Sequence, residues 1–455
     1  MAVPRSELGR KVIHIGCVGF AFLLRDMTPG EAALMAVAAF LFNWQVLPRI
    51  GGKSLWRDAD RERGYPGGIL LYPLAVLGLI LWFWHSLPLA AAAWGILALG
   101  DGMASLVGQA LGGPRLPWNP AKGWAGSFAF VVFGTLAAAV LLAWTARLPL
   151  DLHAWHAGRT LGVSLAAALL CALVESVPTT LDDNLTVPLA AALALPLFAT
   201  ADPSLLLGDP DLLPRALLGL GLNGALALVS FWARAIDIPG AVSGLVIGTT
   251  ITTALGLPFL ALLVVFFLLG SAATRLGYAR KAGRGIAQER GGVRGWRHAW
   301  ANGGVPAFLA LMAGLAPGGL RDLLILAYAA AVATAAADTC SSEVGKAYGR
   351  RTFLMTTLRP VPPGTEGAVS MEGTLGGLGG AMIVAGVGVA LGLYGWASAG
   401  LVCLAGALGN LAESLIGSAG VRRGWMGNDL LNAVNTAIGA GLAVLFVAAA
   451  SWAKL

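Results

Sequence analysis

The sequence predicts an all-α protein, a polytopic bundle of about 15 transmembrane helices in two related halves. Three observations support this prediction. The chain of 455 residues is 57% hydrophobic and only 12% charged, its mean hydropathy is +0.76, and many of its apolar runs approach the roughly 20 residues that a helix needs to cross a bilayer. This composition is typical of an integral membrane protein.

Each predicted span is an apolar run bounded by charged residues, Pro or Gly. In chain order, the spans cover residues 12–24, 29–47, 67–84, 88–106, 125–145, 161–177, 185–200, 214–232, 240–256, 257–275, 304–317, 322–337, 369–391, 395–417 and 430–450. The most polar break lies at residues 200–214, which are rich in Asp and Pro. We therefore predict two domains, residues 1–205 and 206–455.

The distribution of Lys and Arg predicts the orientation, because cytoplasmic loops hold an excess of these residues. With the N-terminus inside, most of the 30 Lys and Arg fall in cytoplasmic loops. We predict a multi-pass protein of a bacterial inner membrane, or an equivalent membrane, with cytoplasmic active sites. The same rule explains the net charge of +7 without a nucleic-acid partner. The basic segment 280–297 is interpreted as a cytoplasmic loop or as an interfacial helix that binds anionic headgroups.

The pattern Asp-x-x-x-Ser-x-x-Gly occurs twice and is followed each time, at nearly the same distance, by a Glu-Ser pair. The first copy begins at Asp101 and reaches Glu175, and the second begins at Asp338 and reaches Glu413. The chain has no other Glu-Ser pair. Because acidic residues are scarce, the shared spacing indicates that one site was built twice.

The first copy places acids, glycines and a lysine at a membrane edge. An ionised Asp101 is costly there unless it is paired or binds a cation. Together with Glu175, Asp182 and Asp183 it offers the hard oxygen ligands that Mg²⁺ prefers, and phosphoryl transfer requires such an ion. The predicted phosphate contacts are Ser105, Gly108, Gly112, Lys122, Gly126, Ser127 and Asn184. The structural alternative is that the glycines only let helices pack closely.

The second copy repeats this order with more positive charge. Asp338, Ser342 and Gly345 are followed by four cations, Lys346, Arg350, Arg351 and Arg359. A kinase that acts on a monophosphate must hold a second anion, and extra arginines suit that task. Loop basicity from the orientation rule is the alternative. We also interpret Glu366-Gly367 as the counterpart of Ala125-Gly126. Glu366 then supplies a carboxylate where the first copy has Ala125.

The first half resembles the polytopic phytol kinase and dolichol kinase family over residues 10–200. The residues that carry this resemblance are Arg10, Lys11, His14, Asp101, Ala104, Gly108, Gly112, Lys122, Gly126, Glu175 and the segment 182–188. Ala125 stands where that family usually has Glu. The resemblance implies CTP-dependent phosphorylation of a long-chain isoprenoid alcohol such as phytol or geranylgeraniol. His14 or one of the Asp pair would then orient or deprotonate the alcohol.

The second half, residues 215–450, is similar to membrane phytyl-phosphate kinases. The shared segments are 302–306, 338–345, 363–370, 413–417 and 428–436. This resemblance implies conversion of an isoprenyl monophosphate to the diphosphate, as in tocopherol biosynthesis, with Asp338, Glu413 and Asp429 as metal ligands. The residues predicted to contact phosphate in this half are Asn302, Ser342, Gly345, Lys346, Arg350, Arg359, Gly364, Glu366, Gly367, Ser370, Asn432 and Asn435.

Joined in one chain, the halves predict a bifunctional membrane kinase that converts an isoprenoid alcohol to its monophosphate and then to its diphosphate. The predicted co-substrate is a nucleoside triphosphate, with CTP favoured, the cofactor is Mg²⁺, and membrane lipids surround the chain. Two alternatives stay open. One is a cytidylyltransferase that attaches CMP to a lipid phosphate. The other is a transporter with repeated halves, although transport sites usually lie near the bilayer midplane.

Overall fold

A computed structural model of the protein describes residues 5–56, 58–148, 155–288, 292–420 and 427–452. The chain forms two compact units, Met1–Thr200 and Ala201–Leu455, which we call unit 1 and unit 2. The division follows Thr200, whereas the sequence placed the boundary after residue 205.

Over its described residues, unit 1 contains ten α-helices, four short turns of 3-10 or π type, and one hairpin. The α-helices are α1 (Arg5–Gly16), α2 (Val18–Ala21), α3 (Pro29–Leu41), α4 (Asp58–Arg63), α5 (Gly67–Trp82), α6 (Leu87–Gly95), α7 (Gly102–Leu111), α8 (Trp124–Thr145), α9 (Trp155–Ser176) and α10 (Asp183–Thr200). The 3-10 turns are Phe22–Arg25 and Gly52–Leu55, and the π turns are Phe42–Val46 and Ile96–Asp101. The hairpin pairs β1 (Arg115–Leu116) with β2 (Asn119–Gly123).

Local sequence explains where the helices of unit 1 begin and how closely they pack. Thr28 and Glu31 form a capping box before α3, with Thr28 N donating to Glu31 Oε2 at 2.7 Å. Helices α6 and α7 follow each other without a loop, because the π turn that ends at Asp101 joins them. A Cβ added at Gly95 would lie 2.9 Å from Leu141 of α8. Glycine therefore lets α6 and α8 approach closely and bury the core of the unit.

The part of unit 2 that the structure describes contains ten α-helices and one hairpin. The helices are α11 (Pro203–Leu207), α12 (Leu212–Trp232), α13 (Ile238–Leu255), α14 (Leu257–Arg275), α15 (Tyr278–Gly283), α16 (Trp296–Leu315), α17 (Gly318–Tyr348), α18 (Met371–Ala390), α19 (Trp396–Gly420) and α20 (Asn428–Trp452). The antiparallel hairpin pairs β3 (Thr352–Leu354) with β4 (Ala368–Ser370).

The 31-residue helix α17 is the centre of unit 2 and packs against α14, α16, α18, α19 and α20. Its middle is a run of alanines that are almost completely buried. Small residues on the neighbouring helices permit this packing. A Cβ added at Gly380 of α18 would lie 2.9 Å from Ala336 O, and one added at Gly409 of α19 would lie 2.8 Å from Thr334 Cγ2. Within a bilayer the hydrophobic effect does not drive helices together, because lipid tails are as apolar as the side chains. Helices there associate through close packing of their backbones.

The predicted fold class is confirmed, since the structure is a helical membrane bundle. Within the described residues, 11 helices are long and apolar enough to cross a membrane, which is fewer than predicted. The span expected at 12–24 is divided at Cys17 into α1 and α2. The span expected at 304–317 is part of α16, which begins at Trp296 and carries polar residues in its first turns. The span expected at 322–337 extends to Tyr348 as α17.

The same order of elements occurs in both units. In unit 1, the long helix that ends with α7 is followed by a hairpin and by α8, α9 and α10. In unit 2, α17 is followed by a hairpin and by α18, α19 and α20. Each hairpin thus lies between the helix of the Asp-x-x-x-Ser pattern and the next helix of its unit.

Candidate active sites

Three carboxylates converge in unit 1. Asp101 ends the π turn before α7, Glu175 lies in the last turn of α9, and Asp183 is the first residue of α10. One ligand oxygen from each residue lies within 4.8 Å of the others. Asp182 is not part of this group, and its Oδ1 instead accepts a hydrogen bond from Asn184 N at 2.9 Å. The structure thus brings together three of the four predicted carboxylates.

Lysines from two other elements neutralise most of this charge. Lys122 of β2 places Nζ 2.5 Å from Glu175 Oε1 and 3.5 Å from Asp183 Oδ2. Lys11 of α1, which sequence reasoning did not place in the site, donates to Asp101 Oδ2 at 2.9 Å. Three carboxylates against two ammonium groups leave a net negative charge. An additional cation is therefore electrostatically favoured in this cluster.

The donor set of unit 1 fits a Mg²⁺ ion. Carboxylate and amide oxygens are the hard ligands that Mg²⁺ prefers. Beside the three carboxylates, the buried Oδ1 of Asn184 has no hydrogen-bond partner among the described residues, whereas its Nδ2 donates to Gly68 O at 3.4 Å. An unpaired buried oxygen is costly unless something binds it. Asp101, Glu175 and Asp183 are thus the residues able to hold the ion, with Asn184 as an additional oxygen.

His14 lies beside Asp101 and approaches it from α1. Its Nε2 is 3.1 Å from Leu97 O and 3.6 Å from Asp101 Oδ2. A carbonyl oxygen can only accept a hydrogen bond, so Nε2 carries the hydrogen of the neutral ring. The lone pair of the imidazole is then on Nδ1. The ring also makes an edge contact with Tyr72, with centroids 4.5 Å apart.

The β1–β2 hairpin is anchored to the end of α9, which explains how Lys122 reaches Glu175. Asn119 Nδ2 donates to Ser176 O at 3.0 Å, and Trp118 Nε1 donates to Ser176 Oγ at 3.0 Å. The serine of the first Glu-Ser pair is therefore the docking point of the hairpin. Trp118 and Asn119 escaped sequence reasoning because their partner lies far along the chain.

The predicted glycine cradle of unit 1 is partly a packing contact. A Cβ added at Gly108 would lie 3.2 Å from Gly126 Cα, and one added at Gly126 would lie 2.9 Å from Ala104 O. These two glycines join α7 to α8, as the structural alternative expected. Gly112, with φ +61°, ends α7 in open space. Ser105 lies within α7, and Ser127 Oγ is 3.5 Å from Gly123 O in the first turn of α8.

Asp338 and Glu413 form the centre of the second site. The side chains of Asp338 of α17 and Glu413 of α19 lie beside each other, and Ser342 Oγ lies 3.4 Å from Asp338 Oδ1. Asp429 is exposed in the first turn of α20. Among the residues that the structure describes, no third Asp, Glu, His or Cys joins this pair in a metal-sized group. The structure thus brings together two of the three predicted ligands of the second site.

The predicted phosphate contacts of unit 2 lie in several different environments. Gly364 and Gly367 have φ of +89° and +72°, and Ser370 caps α18 by accepting a hydrogen bond from Gly373 N at 3.1 Å. Glu366 Oε1 accepts a hydrogen bond from Asn428 Nδ2 at 3.2 Å. Arg350 and Arg359 are exposed near the hairpin, Asn302 and Asn435 are buried, and Gly345, Lys346 and Asn432 lie within helices.

Helix packing identifies Glu372 as the counterpart of Ala125, and the prediction that Glu366 fills this place was wrong. In unit 1, Gly126 faces Gly108 across the α7–α8 contact. In unit 2, a Cβ added at Gly373 would lie 3.3 Å from Gly345 Cα. The residue that precedes Gly373 is Glu372, whose Oε2 accepts a long hydrogen bond from Arg350 N at 3.4 Å.

The basic segment 280–297 contains buried charges as well as surface charges. Lys281 is completely buried and forms an ion pair with Glu343 of α17. Glu343 Oε1 also accepts a hydrogen bond from Gln288 Nε2 at 3.1 Å. Arg294 is buried too. The interpretations of this segment as a surface loop or interfacial helix therefore do not describe Lys281 and Arg294.

These features define an integral membrane protein, a helical bundle in which each unit brings carboxylates together. The chain belongs to the integral membrane protein DUF92 family, whose match covers residues 221–440. The identity is 40% over 200 residues with an uncharacterized membrane protein of Synechocystis sp., which is 44% of this chain and 78% of that protein. No solved structure matches the chain.

Two chloroplastic proteins of Arabidopsis thaliana are also similar. Protein VTE6 is 36% identical over 218 residues, which is 46% of this chain and 65% of that protein. Phytol kinase 1 is 31% identical over 212 residues, which is 42% of this chain and 66% of that protein. The chain thus covers just under two thirds of each of these relatives.

Proposed function

We propose that the chain is a bifunctional membrane kinase that phosphorylates a long-chain isoprenoid alcohol to the monophosphate and then to the diphosphate. The observation that carries this proposal is the cluster of Asp101, Glu175 and Asp183 with Lys122, in a protein similar to phytol kinase 1. Both active sites are assigned to the cytoplasmic side, and CTP is the favoured phosphate donor.

In the first step, unit 1 positions the donor against the alcohol. Asp101, Glu175 and Asp183 would hold Mg²⁺, which when bound neutralises charge on the phosphates. Lys122, on the anchored hairpin, stabilises negative charge that develops during transfer. The alcohol oxygen forms a bond to the γ-phosphorus, the bond from that phosphorus to the bridging oxygen breaks, and the nucleoside diphosphate leaves.

The proton of the alcohol goes to a base beside Asp101. His14 is our candidate, because its Nε2 hydrogen points to Leu97 O and its Nδ1 is left to accept a proton. The contact with Tyr72 and the bond to Leu97 fix the plane of the ring. Lys11 remains paired with Asp101 and holds that carboxylate in place.

In the second step, unit 2 phosphorylates the monophosphate. Asp338 and Glu413 would hold Mg²⁺, which when bound neutralises charge on the donor phosphates. Lys346 lies close enough to interact with the charge of Asp338. The exposed Arg350 and Arg359 neutralise the donor from the hairpin side. The acceptor is already an anion and needs no base.

Separate substitution of the two aspartates tests this assignment. Asp101→Asn should lower formation of the monophosphate by at least about a hundredfold and leave its conversion to the diphosphate intact. Asp338→Asn should have the reverse effect. The substitutions keep the side-chain volume, and each protein should elute as a single species with unchanged melting temperature. Equal loss of both steps from either substitution would contradict two separate sites.

A further inference from the structure

Unit 2 contains an apolar cavity of about 270 Å³ between α12, α13, α14 and α16. Gly240, Gly244 and Gly248 line it from α13, where residues four apart share one helix face. A Cβ added at Gly244 would meet no atom within 4 Å, so the absence of side chains on this face leaves the cavity open. The lining also includes Val229 and Leu268, which are 61% and 59% exposed. The cavity therefore reaches the outer surface of the bundle, where lipid chains lie.

Two basic side chains with unpaired nitrogens line this otherwise apolar space. Arg294 is 8% exposed, and its Nη2 has no hydrogen-bond partner within the described part of the chain. His298, in the first turn of α16, has a buried Nε2 that finds no partner in the described ranges of the chain either. Burial lowers the pKa of Arg294 only to about 10, so the guanidinium is charged at neutral pH. Buried donors without partners are costly, and a charged one more so, unless a ligand satisfies them.

The basic end of the cavity lies next to the second active site. A Cβ added at Gly270 would lie 2.5 Å from Arg294 Nη2 and 3.2 Å from Thr339 Cγ2. Thr339 is the residue that follows Asp338. Glu343 does not neutralise Arg294 completely, because Lys281 and Gln288 already occupy its two oxygens. An anion held by Arg294 would thus be close to the residues that act on the donor phosphate.

Unit 1 offers no equivalent free cation near its aspartate among the residues that the structure describes. Lys11 and Lys122 are both bound to carboxylates there. This difference matches the two acceptors, because an alcohol carries no charge and a monophosphate does. The volume of the cavity, about 270 Å³, is also slightly below the roughly 300–1,000 Å³ that is usual for ligand pockets. One prenyl chain suits it better than the two acyl chains of a phospholipid.

We propose that this cavity is the acceptor site of unit 2 and binds an isoprenyl monophosphate, with Arg294 and His298 holding the phosphate and α13 lining the chain. The inference rests on the proposed function and adds the residues that recognise the substrate. The part of the chain beyond the cavity leaves between Val229 and Leu268 into the bilayer. Prenyl chains of different length should therefore bind with similar affinity.

Direct binding tests the site without turnover. The full chain is reconstituted in zwitterionic nanodiscs without nucleotide, and binding of radiolabelled geranylgeranyl monophosphate is measured. Arg294→Gln should raise the Kd at least tenfold. Arg297→Gln is the matched control, because Arg297 is exposed three residues away and stacks on Trp296, and it should bind as the wild type does. Equal affinity of wild type and Arg294→Gln would overturn the proposal.

A second variant keeps the proposal testable should Arg294→Gln fail to fold. Gly244→Phe fills the cavity and should also raise the Kd at least tenfold. Gly221→Phe is its control, since Gly221 lies on α12 outside the lining and also has open space around its Cα. Wild-type affinity in Gly244→Phe would overturn the proposal, and so would equal displacement of the ligand by phosphatidic acid. If the monophosphate binds as proposed but the protein transfers no phosphate to it, the result would instead refute the proposed kinase activity.

Discussion

Removal of Lys122 should strengthen cation binding in unit 1, because this ammonium group competes with the ion for the same oxygens. Lys122 lies 2.5 Å from Glu175 and 3.5 Å from Asp183. With the 4.8 Å width of the cluster as the separation, +2 and +1 charges repel by about 1.7 kcal/mol even at the dielectric constant of water. Loss of this repulsion should tighten binding of a divalent cation about twentyfold.

The assay is titration of the full chain in nanodiscs with Mn²⁺, read by electron paramagnetic resonance, with the Asp101→Asn protein as the baseline. Lys122→Met keeps the length of the side chain and removes its charge. Arg115→Met is the control, because Arg115 is an exposed cation of the same hairpin. Turnover of the first step should fall in Lys122→Met although the ion binds more tightly. Weaker or unchanged Mn²⁺ affinity would refute the electrostatic account of the cluster.

Three further substitutions test contacts that hold the two candidate sites in place. Asn119→Ala leaves Ser176 O without its donor, and we expect it to cost about 1–3 kcal/mol of unfolding free energy and to slow the first step. Gly126→Leu forces α7 and α8 apart, and we expect a loss of about 1–3 kcal/mol, read as a lower melting temperature. Gly367→Ala meets the backbone of α19 at φ +72°, so we expect it to slow the second step and destabilise the protein.

Each of these substitutions has a matched control. Arg115→Ala changes an exposed residue in the hairpin of Asn119, and Gly158→Leu adds a side chain in open space. Gly392→Ala has the same φ of +72° as Gly367 but meets no neighbour. The account predicts a smaller effect from each control than from its partner. If a substitution and its control changed stability and turnover equally, the contact described for that residue would not support the site.

The carboxylates of unit 1 could be predicted because they combine scarcity, repeated spacing and a place at the ends of apolar runs. Asp101 and Glu175 belong to the repeated pattern, whereas Asp183 is distinguished by its place at the start of an apolar run, and the three carboxylates converge in space. Lys11 could not be placed by this reasoning. Its contact with Asp101 joins α1 to the π turn, and a contact between distant segments leaves no local pattern in one sequence.

The correspondence between the two copies shows where sequence spacing misleads. Unit 2 contains two Glu-Gly dipeptides, Glu366-Gly367 and Glu372-Gly373. The order of motifs favoured the first, but only Gly373 packs against Gly345 as Gly126 packs against Gly108. The β3–β4 connection is longer than its counterpart in unit 1, and this difference shifts the register. Helix packing, which one sequence does not encode locally, decides the correspondence.

The burial of two charges in the basic segment 280–297 could not be predicted from the sequence either. A run of Arg and Lys is typical of a surface loop, and the exposed Arg280, Arg284 and Arg297 fit that description. Lys281 does not, because Glu343 of α17 supplies its counter-charge within the unit. Arg294 is buried beside an apolar cavity that exists only once four helices have assembled. The residues that we propose to recognise the acceptor therefore follow from the fold rather than from a motif.

The most direct test of the account follows the fate of labelled CTP. The purified chain in nanodiscs is incubated with geranylgeraniol, Mg²⁺ and CTP labelled at either the α- or the γ-phosphorus, and the lipid products are separated. The account predicts γ-label in both the monophosphate and the diphosphate, and no α-label in either. Label from the α-phosphorus in the lipid would identify a cytidylyltransferase and contradict the account. Absence of both labels under conditions where the lipid binds would contradict any kinase activity.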